Sequence, residues 1–169
     1  LSDEGRQQAA RLAARLAGET ITAAYASPLR RTRDPAAIIA ASHGVEISTR
    51  DGLREISHGR WEQMTRAEVE AKFPEEYAAW EADPFTFAPA EGESGISVMA
   101  RALPALREIV VTHAGENVLV VSHKATIRLM ISSLLGFDAR GYRDRLEQNP
   151  CCLNILDFKD AVRARLMLF

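Results

Sequence analysis

The sequence predicts an α/β fold, a three-layer sandwich in which a mostly parallel central sheet is flanked by helices. Short apolar runs of strand length alternate with helical patterns along almost the whole chain. The run 117–122 (Asn-Val-Leu-Val-Val-Ser) has a continuously apolar interior, which is typical of a central parallel strand. The 169 residues, 47% of them hydrophobic, show no repeat or low-complexity segment. We therefore expect a single domain over residues 1–169.

Local signals define the elements of the first half. Ser2 is a natural helix cap, and Gly18 is a natural helix end. Ser27 and Pro28 predict the start of a second helix, with serine as the cap and proline at the first helical position. The predicted elements are a helix ending at Gly18, a strand over 21–25, a helix from Ser27 to about Ser42 and a strand over 45–47.

The second half begins with residues 51–63, which have no clean period and are expected to form a loop. Thr65 and Glu68 have the spacing of a capping box, and Gly136 is expected to stop a helix. The further predicted elements are helices from Thr65 to Pro74 and over 75–81, a loop over 83–95, helices over 96–113 and 125–135, and strands over 152–158 and 164–169 that form a hairpin at one edge of the sheet.

Composition excludes several classes of function. A net charge of −2 argues against general nucleic-acid binding, which needs a basic patch or stripe. No apolar run approaches the roughly 20 residues that span a bilayer. The two cysteines, Cys151 and Cys152, are adjacent and give no disulfide framework, so we expect a cytoplasmic protein. The four histidines lack metal-ligand spacing, so we expect no metal site.

Two segments directly follow predicted strands, at the sheet edge where α/β folds bind ligands. Segment 27–32 combines a helix N-terminus with Arg31, and free amides beside a guanidinium suit an anion. A solvated basic face is the alternative. His123 follows the later strand, in the position of a catalytic or of a capped structural histidine. Lys124 either adds positive charge near a bound phosphate or points into solvent, and Arg128 is expected on the helix surface.

Acidic residues outside these segments supply further candidates. Glu55, in the predicted loop, is either a general acid or a solvated loop glutamate. Glu93 and Ser94 precede the long helix, where they form either a helix start or a lip of the site.

Taken together, these segments resemble the histidine phosphatase (phosphoglycerate mutase-like) superfamily over nearly the whole chain. The matching segments are Leu1-x-x-x-Gly5-x-x-Gln8-Ala9, Ser27-Pro28-Leu29-x-Arg31, Leu53-x-Glu55-x-x-x-Gly59-x-Trp61-Glu62, Gly92-Glu93-Ser94 and Val120-Val121-Ser122-His123. In this family one histidine attacks phosphorus, a second histidine and two arginines hold the phosphoryl oxygens, and a carboxylate protonates the leaving alcohol. The resemblance implies that Arg31 is the second arginine, that His123 is the second histidine, in its cationic form, and that Glu55 is the proton donor.

The sequence also departs from the family pattern. The Arg-His-Gly motif that carries the nucleophile does not occur, and the chain begins where the family's next helix begins. We therefore expect the nucleophile in a strand upstream of this chain. Lys124 and Gln63 each replace a glycine that is common in the family.

The resemblance implies a phosphatase that hydrolyses small phosphate monoesters through a phosphohistidine. The stretch between Trp61 and Gly92 is short, and an open site favours water as the phosphoryl acceptor. The alternatives are a 2,3-bisphosphoglycerate-dependent phosphoglycerate mutase and a non-catalytic phosphate-binding module. The expected partner is a small phosphorylated metabolite, no cofactor is expected for a phosphatase, and a homodimer is possible.

We expect the side chains of Arg31, Glu55 and His123 to line one concavity. The residues expected at the phosphate are Ser27, Arg31, Glu93, Ser94, His123 and Lys124, with Glu55 beside them.

Overall fold

The computed structural model describes residues 1–169. The α-helices and strands, labelled in chain order, are α1 (Asp3–Leu16), β1 (Ala23–Ala26), α2 (Arg30–Ala40), β2 (Ile47–Thr49), α3 (Arg66–Lys72), α4 (Pro74–Ala82), α5 (Gly95–Thr112), β3 (Val118–Val121), α6 (Lys124–Leu135), α7 (Tyr142–Arg145), β4 (Ile155–Phe158) and β5 (Ala164–Leu168). Two single turns of 3₁₀ helix, Asp51–Leu53 and Gly59–Trp61, interrupt the predicted loop after β2.

Three parallel strands form the main sheet, in the order β2-β1-β3. Ala26 stands opposite Thr49 of β2 and Val121 of β3, so the carboxyl ends of the strands share one edge. Within residues 1–169, β1 lies between β2 and β3, and β3 pairs with β1 alone. All four residues of β3 are half-buried.

Helices cover both faces of this sheet, which confirms the predicted three-layer α/β architecture. Tyr25 of β1 packs in a core with Leu106 and Ile109 of α5 and Met130 of α6. Ala24 and Ala26 point to the opposite face and are buried, and α2, which also packs on α1, contacts β1 and β3. The alternation of side chains along β1 therefore separates the two helical layers.

Helix ends with purely local signals lie where the sequence predicts them. The Ser2 hydroxyl accepts the Gly5 N–H at 3.1 Å, and Thr65 and Glu68 form both hydrogen bonds of a capping box. Gly136 ends α6 in the left-handed conformation, with φ at 71°. These signals act within one helical turn, so no distant contact overrides them.

Two predictions of local structure are wrong. The second helix begins at Arg30 and has Leu29 at its N-cap without a side-chain bond, because the Ser27 hydroxyl accepts the Leu29 N–H and contacts His123. The hairpin of β4 and β5 forms, but it is a separate antiparallel sheet with no hydrogen-bonded strand in common with the parallel sheet.

No helix of the chain combines the length and the apolar character that crossing a membrane requires.

Candidate active site

The site is centred on His123, which lies directly after β3 and contacts a residue that follows β1. Its Nδ1 accepts the Nε–H of Arg31 at 3.2 Å, and its Nε2 lies 2.9 Å from Oγ of Ser27. An arginine can only donate, so His123 carries its proton on Nε2 and donates to Ser27. The register of β1 and β3 brings Ser27 and His123 together, because the N–H of Ser27 donates to the carbonyl of Val121.

Burial keeps His123 neutral. The side chain is only 7% exposed, and this burial is the main reason that its pKa falls from 6.5 to about 4. The negative charge of Glu55 raises the pKa of His123, whereas the positive charges of Arg31 and Arg101 lower it further. Burial therefore opposes the cationic form that the resemblance implies for His123. A phosphoryl dianion placed beside the ring would favour the charged form again.

Glu55 lies against the first turn of α6, the helix for which His123 is the N-cap residue. Its Oε2 accepts the N–H of Ala125 at 3.2 Å, and its Oε1 accepts those of Thr126 at 3.2 Å and Ile56 at 3.1 Å. The Thr126 hydroxyl lies 3.2 Å from Oε1. A helix N-terminus thus fixes the carboxylate near His123.

The structure therefore brings Arg31, Glu55, Ser27 and His123 together at one edge of the sheet. Ser27 is fully buried, while Arg31 is exposed at the start of α2. This arrangement can bind an anion through the Arg31 guanidinium and the His123 imidazole. The Glu55 carboxylate is held on the helical turn that follows His123. The chemical roles that the resemblance implies for these residues stay predictions.

Lys124 lies at the border between the site and solvent. Its Nζ is 3.1 Å from Oε1 of Glu147, and half of the side chain is exposed. Lys124 also lines the same cleft as Glu55, which is described below. The side chain is therefore partly in solvent and partly beside the site, as the two alternatives left open by the sequence each describe.

Glu93 and Ser94 build the scaffold of the site. The Ser94 hydroxyl accepts the Ser97 N–H at 3.2 Å and caps α5, which is the helix-start alternative. Glu93 takes two hydrogen bonds from Arg101, at 2.7 and 2.8 Å, and these bonds are the main reason that its pKa is lowered. An ionised and fully engaged carboxylate would repel a phosphate, so we assign Glu93 to positioning and not to phosphate contact.

Arg101 is a functional candidate that sequence reasoning missed. Its Nη1 donates to the carbonyls of Gly52 at 2.9 Å and Arg54 at 2.8 Å, and its Nη2 donates to that of Glu55 at 3.0 Å. Arg101 thereby ties α5 to the loop that carries Glu55. The available signal was its place three residues after Val98, beside the inward stripe of the helix.

A cleft of about 380 Å³ opens beside Glu55. Its wall combines aromatic residues with cations, among them Trp61, Tyr77, Trp80, Tyr142, Arg66, Lys124, Arg128 and Arg143. Arg128 is 7% exposed, so its expected place on the helix surface is wrong. Sequence reasoning missed the cleft because its wall comes from α3, α4, α6, α7 and the loop before α3, and no local pattern shows that these segments meet.

Comparisons with known proteins identify the family of the chain. Residues 1–167 match the family described as histidine phosphatase superfamily, branch 1. Phosphoserine phosphatase 1 of Hydrogenobacter thermophilus is 38% identical over 138 residues, which are 82% of this chain and 65% of that protein. Glucosyl-3-phosphoglycerate phosphatase of Mycolicibacterium vanbaalenii is 36% identical over 143 residues, which are 80% of this chain and 63% of that protein. The chain thus spans slightly less than two thirds of the length of these relatives.

Solved structures show the same fold. YhfR of Bacillus stearothermophilus superposes with a TM-score of 0.92 at 28% identity, over 99% of this chain and 83% of that one. The mycobacterial glucosyl-3-phosphoglycerate phosphatase Rv2419c superposes with a TM-score of 0.88 at 27% identity, over 100% of this chain and 85% of that one. With the family match over residues 1–167, these likenesses show that the chain belongs to the histidine phosphatase superfamily.

Proposed function

We propose that this chain acts in the hydrolysis of small phosphate monoesters, as part of a histidine phosphatase. The observation that carries the proposal is the contact of Arg31 and His123 at the sheet edge, with the Glu55 carboxylate fixed on the adjoining helix turn. Named relatives at 38% and 36% identity are phosphatases of phosphoserine and of glucosyl-3-phosphoglycerate, which supports the same reaction class here.

In the proposed mechanism the chain's own residues neutralise charge and deliver a proton. The Arg31 guanidinium donates to the oxygens of the transferring phosphoryl group, where negative charge must be stabilised. The His123 Nε2–H exchanges its bond to Ser27 for a bond to one of these oxygens. The attacking histidine, which the family resemblance implies, forms a bond to phosphorus as the bond from phosphorus to the ester oxygen breaks. Glu55 gives its proton to that oxygen, so the alcohol leaves neutral. Water then takes the phosphoryl group from the phosphohistidine, and Glu55 recovers a proton from that water.

The attacking histidine is an expectation that the family resemblance carries. No Arg-His-Gly occurs within residues 1–169, so the tests below use the full-length protein. Phosphatase is preferred over 2,3-bisphosphoglycerate-dependent mutase because only two short helices, α3 and α4, lie between Trp61 and Gly92. A mutase must keep water away from the phosphohistidine, and a longer lid serves that purpose.

A phosphate-release screen over a panel of small phosphate esters tests the proposal. We expect release from at least one ester, unchanged by a chelator, because we propose that no metal or cofactor takes part. Transfer of phosphate to a second phosphoglycerate instead of water would establish the mutase alternative. Binding of phosphate esters without release or transfer would establish the non-catalytic module.

We also propose a cytoplasmic location and a homodimer. Cys151 and Cys152 are both free thiols, which is compatible with a reducing compartment. Fractionation of the source cells and the mass of the full-length protein in solution test these two proposals.

A further inference from the structure

The lining of the cleft beside Glu55 contains more cations than carboxylates. Among its fourteen lining residues, four are lysine or arginine, and Glu55 is the only carboxylate. Arg143 stacks on Trp80, with 4.1 Å from its guanidinium carbon to the ring centroid, and pairs with Glu81 at 3.3 Å. A cleft with this excess of cations favours an anionic occupant.

Arg128 is the most deeply buried of these cations. Its side chain is 9% exposed, and its Nε has no hydrogen-bond partner. The nearest carboxylate oxygen, Oε2 of Glu147, lies 3.7 Å from Nη2, beyond hydrogen-bond distance. Glu147 is largely exposed and already pairs with Lys124 at 3.1 Å. A buried guanidinium without a close carboxylate is costly, and an anion bound in the cleft would offset that cost.

A second unsatisfied donor stands in the same wall. Trp61 is 5% exposed, and its Nε1–H also has no acceptor. Buried donors are almost always satisfied in proteins, so two unsatisfied donors in residues of one cleft wall are consistent with an occupant that brings acceptor oxygens. Trp61 and Trp80 meet edge to face with 5.9 Å between ring centroids, which makes the indole part of a packed wall.

The position of the cleft determines which part of a substrate it holds. Glu55 stands at its rim and is the proposed proton donor to the leaving alcohol, so the cleft receives the alcohol part of the ester. Arg128 follows the first turn of α6, whose amides hold Glu55, by roughly one helical turn. The proposed phosphoryl site is at Arg31 and His123, which do not line the cleft.

We propose that the substrate is a phosphate monoester whose alcohol part carries a second anionic group, a carboxylate or a phosphate, and that Arg128 binds this group in the cleft. The inference rests on the proposed function, because it takes Glu55 to mark the leaving-group side. Arg128 is then a determinant of specificity and not a ligand of the transferred phosphoryl group.

The test compares matched esters with the full-length protein. 3-Phosphoglycerate and glycerol 3-phosphate differ by a carboxylate in place of a hydroxymethyl group. 1,3-Propanediol bisphosphate and 1,3-propanediol monophosphate differ by a phosphate. Preference within the first pair identifies a carboxylate, and preference within the second identifies a phosphate. We expect kcat/KM to favour the anion-bearing member of at least one pair by roughly 10–100-fold.

Substitution of Arg128 links the preference to the residue. Arg128→Gln should raise KM for the anion-bearing ester by a larger factor than for the partner that lacks the second anionic group, and Arg128→Lys should retain part of the preference. Arg140→Gln is the matched control, since Arg140 is exposed, pairs with Asp138 and does not line the cleft. Equal kcat/KM within both pairs, or an equal loss on both members in a folded Arg128 variant, would overturn the proposal. If Arg128→Gln does not fold, the wild-type comparison and Arg128→Lys decide.

Failure of the proposed function gives a separate result. If the full-length protein hydrolyses none of the four esters, calorimetric binding of the same esters replaces the rate comparison. Tighter binding of an anion-bearing member, weakened in Arg128→Lys, would support the anion site without phosphatase activity. Equal binding within both pairs would overturn it.

Discussion

Replacement of Glu55 by glutamine isolates proton donation from the rest of the site. The amide keeps the size of the side chain, and its oxygen can replace Oε1, which accepts the N–H groups of Ile56 and Thr126. The amide nitrogen then faces the Ala125 N–H, so the bond to Oε2 is lost. Leaving that donor unsatisfied costs about 1–3 kcal/mol of unfolding free energy, which a folded domain can tolerate.

The effect on turnover should be larger than the effect on stability and should depend on the substrate. Without a proton donor, hydrolysis of alkyl phosphates should slow by roughly 10²–10⁴-fold. Nitrophenyl phosphate should lose much less, because its leaving group departs without a proton.

The assay is steady-state phosphate release by the full-length protein with both esters, alongside circular dichroism. Glu62→Gln is the matched control, since Glu62 lies in the same loop and accepts the N–H of His58. Equal losses on the two esters, or an unchanged rate on the alkyl ester, would refute the role of Glu55.

Two further predictions concern the groups around Glu55. Arg101→Met should lower kcat for alkyl phosphates by roughly 10–100-fold, because the Glu55 carbonyl loses its hydrogen bond from Arg101. The same substitution should cause no further loss of kcat in the Glu55→Gln variant. An added loss in the double variant would refute a positioning role for Arg101. The pKa of His123 falls from 6.5 to about 4 on folding. Between these two pH values the imidazole is protonated in the unfolded chain and neutral in the native protein, so the free energy of unfolding decreases as the pH is lowered. Urea unfolding across that window should show a loss of about 2–3 kcal/mol that His123→Asn removes; an equally steep loss in the variant would contradict the buried neutral histidine.

The fold was predictable wherever the signal was local or periodic. Ser2, Thr65 and Gly136 act on their own helix ends, and strand-helix alternation was enough to predict the layered sheet. The cap expected at Ser27 failed for a tertiary reason, since the hydroxyl lies against His123 from a segment 96 residues away. Strand order was beyond the sequence because hydrophobicity does not encode which strand is the neighbour.

The site divides in the same way. Arg31, Glu55 and His123 could be selected from motif order, and their meeting follows from adjacent strand ends and the first turn of α6. Arg101 and Arg128 could not be selected from the sequence, because a charged residue in a helical pattern is by default assigned to the solvent face. Only the three carbonyls around Arg101 and the burial of Arg128 reveal that both point inward.

The central claim is that His123 and Arg31 form the phosphoryl site of a phosphatase. The most direct measurement is phosphate release from a small ester by the full-length protein, wild type and His123→Asn, with both shown to be folded. The account predicts release by the wild type and a loss of roughly 10²–10³-fold in the variant, the usual cost of removing one donor to a transition-state oxyanion. No release by the wild type on any ester, or equal rates for the two proteins, would contradict it.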